Sequence, residues 1–325
     1  VQAYGLAWPS AHTSLQTTTP ELQEQRKARL MSILTTGLPT LPSNVFELNT
    51  LLSASSVDLK RVGKVIRNDP SMTAQVLRLC NSAMFNLRRR VLSIEEAAIL
   101  MGAERLRTLA LTCSVMEFTG QQLSSGDVQS FWKHSFMTGM LSERVARWVE
   151  YSEPEQAYLG GLLHDIGTLP LLMVIGKEKA PSSIAMDGNS GDTLEFESKH
   201  FGMNHCEVGA RIGQSWNFFP SFIDVFENHH HPELSTRDPY LVGIVAAADH
   251  FCEEHSAEPQ AEQERQPPPE ADSPDEGEFF IRCFPRLDAE DRSELTEMLE
   301  TEYLHLLPVI EFNAPKGQGE SQEKS

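Results

Sequence analysis

A chain of 325 residues is long enough to bury a sizeable core, and its 46 Asp and Glu against 27 Lys and Arg give a formal net charge of -19. Such an acidic balance opposes a role built on neutralising many nucleic-acid phosphates, so nucleic acid is set aside as a partner. No run of 18 uncharged apolar residues occurs, and the N-terminal stretch lacks a basic region followed by an apolar core, so neither a membrane span nor a signal peptide is indicated.

In chain order, the first 30 residues are Thr- and Gln-rich, without a sustained period, and are expected to lack structure. Short helical signals follow. Ser43 or Asn44 is a candidate N-cap for VFELNTLLS, Asp58 opens DLKRVGKVIRN, and Asp69 with Pro70 caps and starts PSMTAQVLRLCN. Ser93 and Glu96 form a capping-box pattern, and Gly102 stops that helix before ERLRTLALTCSVMEF. The basic run NLRRR, with Arg88, Arg89 and Arg90, reads as a solvated face. From Phe131 a long amphipathic pattern runs to Tyr151, followed by PEQAYLGGLLHDIG and by TLPLLMVIG, which suits helix or strand. Helical patterns resume at LEFESKHFG, HCEVGARIGQSWNF, PSFIDVFENHHH and DPYLVGIVAAADHFCEE. Residues 253–278 hold ten acidic residues and five prolines and read as a linker. The remaining 279–325 segment contains one amphipathic helix, 288–306, with Leu295, Met298, Leu299 and Tyr303 on one side, expected to fold back on the body. Strict alternation never runs for long, so the predicted fold is all-α. The five cysteines are odd in number and widely spaced, as reduced thiols of a cytoplasmic protein would be.

Histidines and aspartates are distributed over several of these helices. His134 lies early in the long one, His164 and Asp165 at the end of the next, His205 at the start of another, His229, His230 and His231 at the end of another, and Asp249 behind the apolar run IVAAA. Each has an ordinary reading, as a core histidine, a helix end or a solvated turn. Yet an aspartate near the C-terminus of a helix is unfavourable by about 0.3–1 kcal/mol without a cationic partner, and an unpaired carboxylate behind IVAAA would cost more. Imidazoles and carboxylates from facing helices are the donors that hold borderline divalent ions, and an aspartate beside a histidine can bridge two of them.

This ordered set resembles the HD superfamily of metal-dependent phosphohydrolases. More closely, residues 37–252 resemble an HDOD domain, the HD-related output domain of bacterial signalling proteins. The resemblance rests on LPTLPSNVFELNTLL, IRNDPSMTAQVLRLCNSAMF, SIEEAAILMGAERLRTLAL, FWKHS, AYLGGLLHDIG, FGMNHCEVGARIGQSW and HHHPEL. It implies two packed helical bundles, an N-terminal one over 37–120 and an HD-like one over 127–252. It also implies that His134, His164, Asp165 and Asp249 are primary metal ligands, with His205, His229 and His230 completing a second position and Asp165 as bridge. One or two divalent ions, Fe, Mn or Mg, are the expected cofactors. Two departures stand against simple hydrolysis: HDIG is followed by Thr168 rather than lysine, and the GYP signature of diguanylate phosphodiesterases is absent after the paired histidines.

Three functions therefore compete: a regulatory module in signal transduction acting through a protein partner, a metal-dependent phosphohydrolase with Asp165 central to catalysis, and a scaffold binding through its front helices or tail. The sequence leaves oligomeric state and partner open.

Overall fold

The computed structural model describes residues 19–37, 59–82, 85, 89–102, most of 105–116, 125–175, 190–256, 276–308 and 310, and among these residues the secondary structure is entirely helical. The all-α expectation holds there, and the ambiguous TLPLLMVIG resolves as helix.

One expectation needs correction. The N-terminal stretch is helical from residue 20, as α1 (Pro20–Ser32), ending in a π-helical turn over Ile33–Gly37; residues 1–18 lie outside the described residues. Thr19 caps α1 by accepting from the Leu22 N–H, with proline at the first helical position. Its order comes from docking rather than from an apolar stripe. Leu30 is fully buried, Arg29 donates to the Met173 carbonyl, Gln23 donates to the Ser198 carbonyl, and the Arg26 guanidinium lies 5.8 Å from the Phe201 ring centre.

Among the described residues, α2 (Leu59–Arg67), α3 (Pro70–Cys80) and α4 (Ile94–Met101) follow, with further helical residues within 105–116. The Asp69 carboxylate accepts from the Met72 N–H, and Ser93 accepts from the Glu96 N–H. The reciprocal half of the expected capping box is displaced by one residue, because Glu96 accepts from the Leu92 N–H. Asn81 closes the α3–α4 connection from both sides, donating to the Leu77 and Val91 carbonyls and accepting from the Val91 N–H. Arg89 is 70% exposed and pairs with Glu96 at 2.9 Å, consistent with a solvated basic face. The VFELNTLLS segment lies outside the described residues.

The body consists of α5 (Ser125–Trp148), α6 (Pro154–Leu163), α7 (Thr168–Ile175), α8 (Ser190–Phe201), α9 (His205–Ser215), α10 (Pro220–Asn228), a 3-10 turn at Pro232–Leu234 and α11 (Pro239–Ser256). Pro154–Ile175 is long and apolar enough, by length and composition alone, to cross a membrane, but it is mostly buried inside the protein and contains the His164–Asp165 turn. Val62, Ile66 and Val76 of the front helices share one continuous hydrophobic core with Trp132, Phe136, Leu162 and Val245. Helices from across the chain thus pack together, and the core shows no division into two bundles.

The tail folds back, as its pattern indicates. Asp288 caps α13 (Ala289–Leu306), and Leu295, Leu299, Tyr303 and Leu306 are buried. The Tyr303 hydroxyl donates to the His255 carbonyl, and Arg144 pairs with Glu302 at 3.2 Å. A further helix, α12 (Glu276–Cys283), buries Phe279 and Phe280, and the His250 ring stacks on Phe279 with centroids 4.1 Å apart. The acidic linker is therefore shorter than its composition suggests: α11 runs to Ser256, α12 starts at Glu276, and 257–275 lies outside the described residues.

Candidate metal centre

All seven residues singled out in the sequence meet in one place. His134 comes from α5, His164 and Asp165 from the turn between α6 and α7, His205 from the first position of α9, His229 and His230 from the end of α10, and Asp249 from α11. His231 does not join them; its side chain is 46% exposed and faces Glu233 at 3.4 Å.

The HD turn is held by two close backbone approaches. A Cβ on Gly161 would stand 2.8 Å from the Thr138 carbonyl oxygen of α5, and a Cβ on Gly167 would stand 1.9 Å from the His205 carbonyl oxygen and 2.6 Å from the Gly209 nitrogen of α9. Glycine at these positions lets α5 and α9 close on the turn from either side, which brings His134 and His205 to Asp165. The helix-end penalty at Asp165 is met by imidazoles and by α7, which begins three residues later with the Thr168 N–H donating to the Asp165 carbonyl.

Local hydrogen bonds fix the imidazole tautomers. His164 Nδ1 lies 2.7 Å from the Gly161 carbonyl, His205 Nδ1 2.7 Å from Glu197 Oε2, and His229 Nδ1 3.0 Å from the Val225 carbonyl. Each of these acceptors takes the Nδ1 hydrogen, leaving Nε2 to point inward. Glu197 of α8, 2% exposed, also accepts from the His205 backbone N–H at 2.8 Å, so one buried carboxylate sets both the ring and the backbone of His205.

The inward atoms form two groups. His134 Nε2 and His164 Nε2 are 3.3 Å apart, and each is 3.0 Å from Asp249 Oδ1. His205 Nε2 lies 3.3 Å from His229 Nε2 and 3.1 Å from His230 Nε2. Asp165 spans them, with Oδ2 3.7 Å from His164 Nε2 and Oδ1 3.3 Å from His205 Nε2 and 3.5 Å from His229 Nε2. Donors bonded at about 2.0–2.2 Å to one tetrahedral ion stand about 3.3–3.6 Å apart, close to the spacing seen. Asp165 Oδ1 and Asp249 Oδ1 are buried without a well-aligned hydrogen bond, and bare imidazole lone pairs at such spacings repel unless a proton or a cation lies between them. By donor type, spacing and unsatisfied atoms, the residues fit a divalent metal.

Burial would raise the Asp165 carboxyl, but His164, His205 and His229 hold it well below the usual carboxylate range. Asp249 is likewise buried and held well below by His164 and His134. Burial pushes His134 down, yet Asp249 and Asp165 bring it up to about 9. His205 and His229 are raised well above the ordinary histidine value against burial, by Cys206 and the nearby carboxylates, while His230 is pushed well below by burial and by those two neighbours. Carboxylates and imidazoles thus favour opposite charges on one another across the cluster.

Three residues of the site escaped the sequence reading. Glu197 is eight positions before His205, and its role depends on α8 packing beside α9. Cys206 adjoins His205, with Sγ 3.4 Å from His205 Nε2 and 4.0 Å from His229 Nε2; burial pushes its thiol up, but His205 and His229 bring it down to about 7. Glu253 groups with His230 and Asp249 and lies one turn beyond Asp249 on α11. The site is most open at His134 and Asp165, whose side chains are 19% and 17% exposed.

The stretch after the paired histidines is pinned by Asp224, 2% exposed, whose carboxylate accepts from the Ser235 hydroxyl, the Asn228 amide and the backbone N–H groups of Arg237 and Asp238. Burial alone would raise this carboxyl; the donors outweigh it and lower it. A lowered carboxyl stabilises the fold above its unfolded value of about 3.9, and that contribution is lost as pH falls through the folded value. Asp224→Asn is expected to cost about 2 kcal/mol at pH 7 in urea denaturation. The deficit should narrow below about pH 4; a pH-independent deficit would show that the charge is not what matters.

A family model described as the HDOD domain matches residues 38–232, more than half of the chain. The chain belongs to the HDOD domain family. An uncharacterized protein of Treponema pallidum (strain Nichols) is 25% identical over 221 residues, covering 65% of this HDOD chain and 41% of the relative, so the chain spans less than half of that protein's length. Among solved structures, an HDOD domain protein of Geobacter sulfurreducens aligns over 88% of this chain and 97% of its own, with TM-score 0.67 and 23% identity. A protein of Shewanella amazonensis SB2B with a provisional phosphohydrolase name aligns over 87% of this chain and 96% of its own, with TM-score 0.63 and 23% identity. At these identities the structural likenesses establish the HDOD fold alone.

Proposed function

We propose that this chain is a cytoplasmic regulatory module of signal transduction that acts through a protein partner and carries a divalent-metal centre of one or two ions on His134, His164, Asp165, His205, His229, His230 and Asp249. The observation that carries it is the turn itself. A full set of donors converges on Asp165, yet position 168, where active relatives place a lysine, is a threonine that is 5% exposed and whose hydroxyl has no hydrogen-bond partner among the described residues. The site therefore has donors for an ion but no cation at that position to neutralise a scissile phosphate.

A second reading, a phosphohydrolase acting on a phosphomonoester or phosphodiester, is favoured by the bridging placement of Asp165 and by the opening beside His134. Bound ions would supply Lewis acidity there. Asp165, with one carboxylate oxygen toward each group of imidazoles, would help to hold the ions, and the partly exposed edge at His134 and Asp165 would admit the substrate. Elemental analysis of protein purified without chelator, with assays on p-nitrophenyl phosphate and bis(p-nitrophenyl) phosphate, separates the two. Regulation predicts bound metal and no turnover above buffer. Metal-dependent turnover that disappears in Asp165→Ala would overturn it in favour of hydrolysis.

A further inference from the structure

We infer that Cys206 adds a sulfur donor to the three imidazole nitrogens of the position formed by His205, His229 and His230, beside the Asp165 carboxylate, and that this position selects a thiophilic divalent ion such as zinc or ferrous iron over magnesium and manganese. The inference rests on the metal-centre reading above and narrows it, because a set of imidazoles and carboxylates alone accommodates magnesium and manganese as well.

The geometry has three parts. Cys206 occupies the second position of α9, directly after His205, and the first turn of that helix is fixed by the Asn204–Glu207 capping box. His205 is itself held by Glu197 from the far side, so its Nε2 faces Sγ with little freedom. Finally, Sγ stands 3.4 Å from His205 Nε2 and 4.0 Å from His229 Nε2, while His230 Nε2 stands 3.1 Å from His205 Nε2. An ion with sulfur at about 2.3 Å and nitrogen at about 2.0–2.1 Å separates the two kinds of donor by about 3.5 Å in tetrahedral geometry, which these four atoms approach. His205 and His229 are fully buried, Cys206 is 5% exposed and His230 6%, so an ion there would be shielded from bulk water. A buried cysteine that only fills space would sit among apolar side chains, whereas the Sγ of this one lies beside the ring nitrogens of His205 and His229.

The test is titration of the chelator-stripped 325-residue chain, and of Cys206→Ser and Cys206→Ala, with Co2+, read by absorption spectroscopy and elemental analysis. The expected result is visible d–d bands in all three proteins and a near-ultraviolet thiolate-to-cobalt charge-transfer band in the unaltered chain alone. Saturating d–d bands without a charge-transfer band in the unaltered chain would remove Cys206 as a ligand and leave the metal centre standing; so would a charge-transfer band that survives both substitutions. No bound cobalt in the unaltered chain would remove the metal centre and the inference together. The deciding spectrum comes from the unaltered chain, so a poorly folded variant does not shield the inference.

Discussion

Gly167→Ala is expected to destabilise the protein by about 4 kcal/mol or more, among the largest effects of any single methyl group in the chain. The added Cβ would fall 1.9 Å from the His205 carbonyl oxygen, 2.6 Å from the Gly209 nitrogen and 2.8 Å from the His205 carbonyl carbon. All three are backbone atoms of α9, so no rotamer change relieves the overlap, and α9 itself must move. That displacement would carry His205 away from Asp165 and lower metal uptake in whatever fraction folds. Urea denaturation measures the first effect and elemental analysis the second. Ile99→Ala, at a side chain 80% exposed, is the control and should change stability by no more than about 0.5 kcal/mol. Native stability in Gly167→Ala would mean that α9 does not press on the HD turn as closely as described.

Asp165→Ala is the second large effect, and it separates the roles of the two carboxylates. Asp165 pairs with imidazoles of both donor groups: His164 on one side, His205 and His229 on the other. Asp249 pairs with His134 and His164 of the first group. Removing Asp165 should therefore reduce bound metal from as many as two ions to at most one, with a smaller loss in Asp249→Ala, whose carboxylate pairs most closely with the first group and also lies near His229 and His230. In metal-free protein, Asp165→Ala removes the carboxylate that pairs with His229, while His205 keeps the buried Glu197 beside its Nδ1, so the expected loss is about 1–3 kcal/mol. Metal stoichiometry and urea midpoints of both variants provide the comparison, and unchanged metal content in Asp165→Ala would defeat the bridging role.

Much of this site was legible in the chain because each ligand sits where its neighbours make it conspicuous. Asp249 follows IVAAA, His134 interrupts an apolar stripe, and HDIG closes a helix. The order of these segments carried the family resemblance, which brought distant positions into one site. Glu197 and Cys206 were not legible in the same way. A glutamate in LEFESKHFG looks like any solvent-facing helix residue until α8 is seen to bury it against His205, and a cysteine beside a histidine has an ordinary core reading until His229 and His230 arrive from another helix. Helix α1 was missed because PELQEQRKARLMS is mostly polar, and its order depends on contacts with α7 and α8 more than 140 residues away. The two-bundle picture was too fine, since the front helices and the body share a core.

The position of α11 also sets a timetable. Asp249 is the last of the seven ligands to be synthesised, and the helix that carries it is covered by α12 at Phe279 and by α13 at Tyr303. Were an ion bound by His134, His164 and Asp249, its site would close only with α11, the last in sequence of the helices that carry the seven residues.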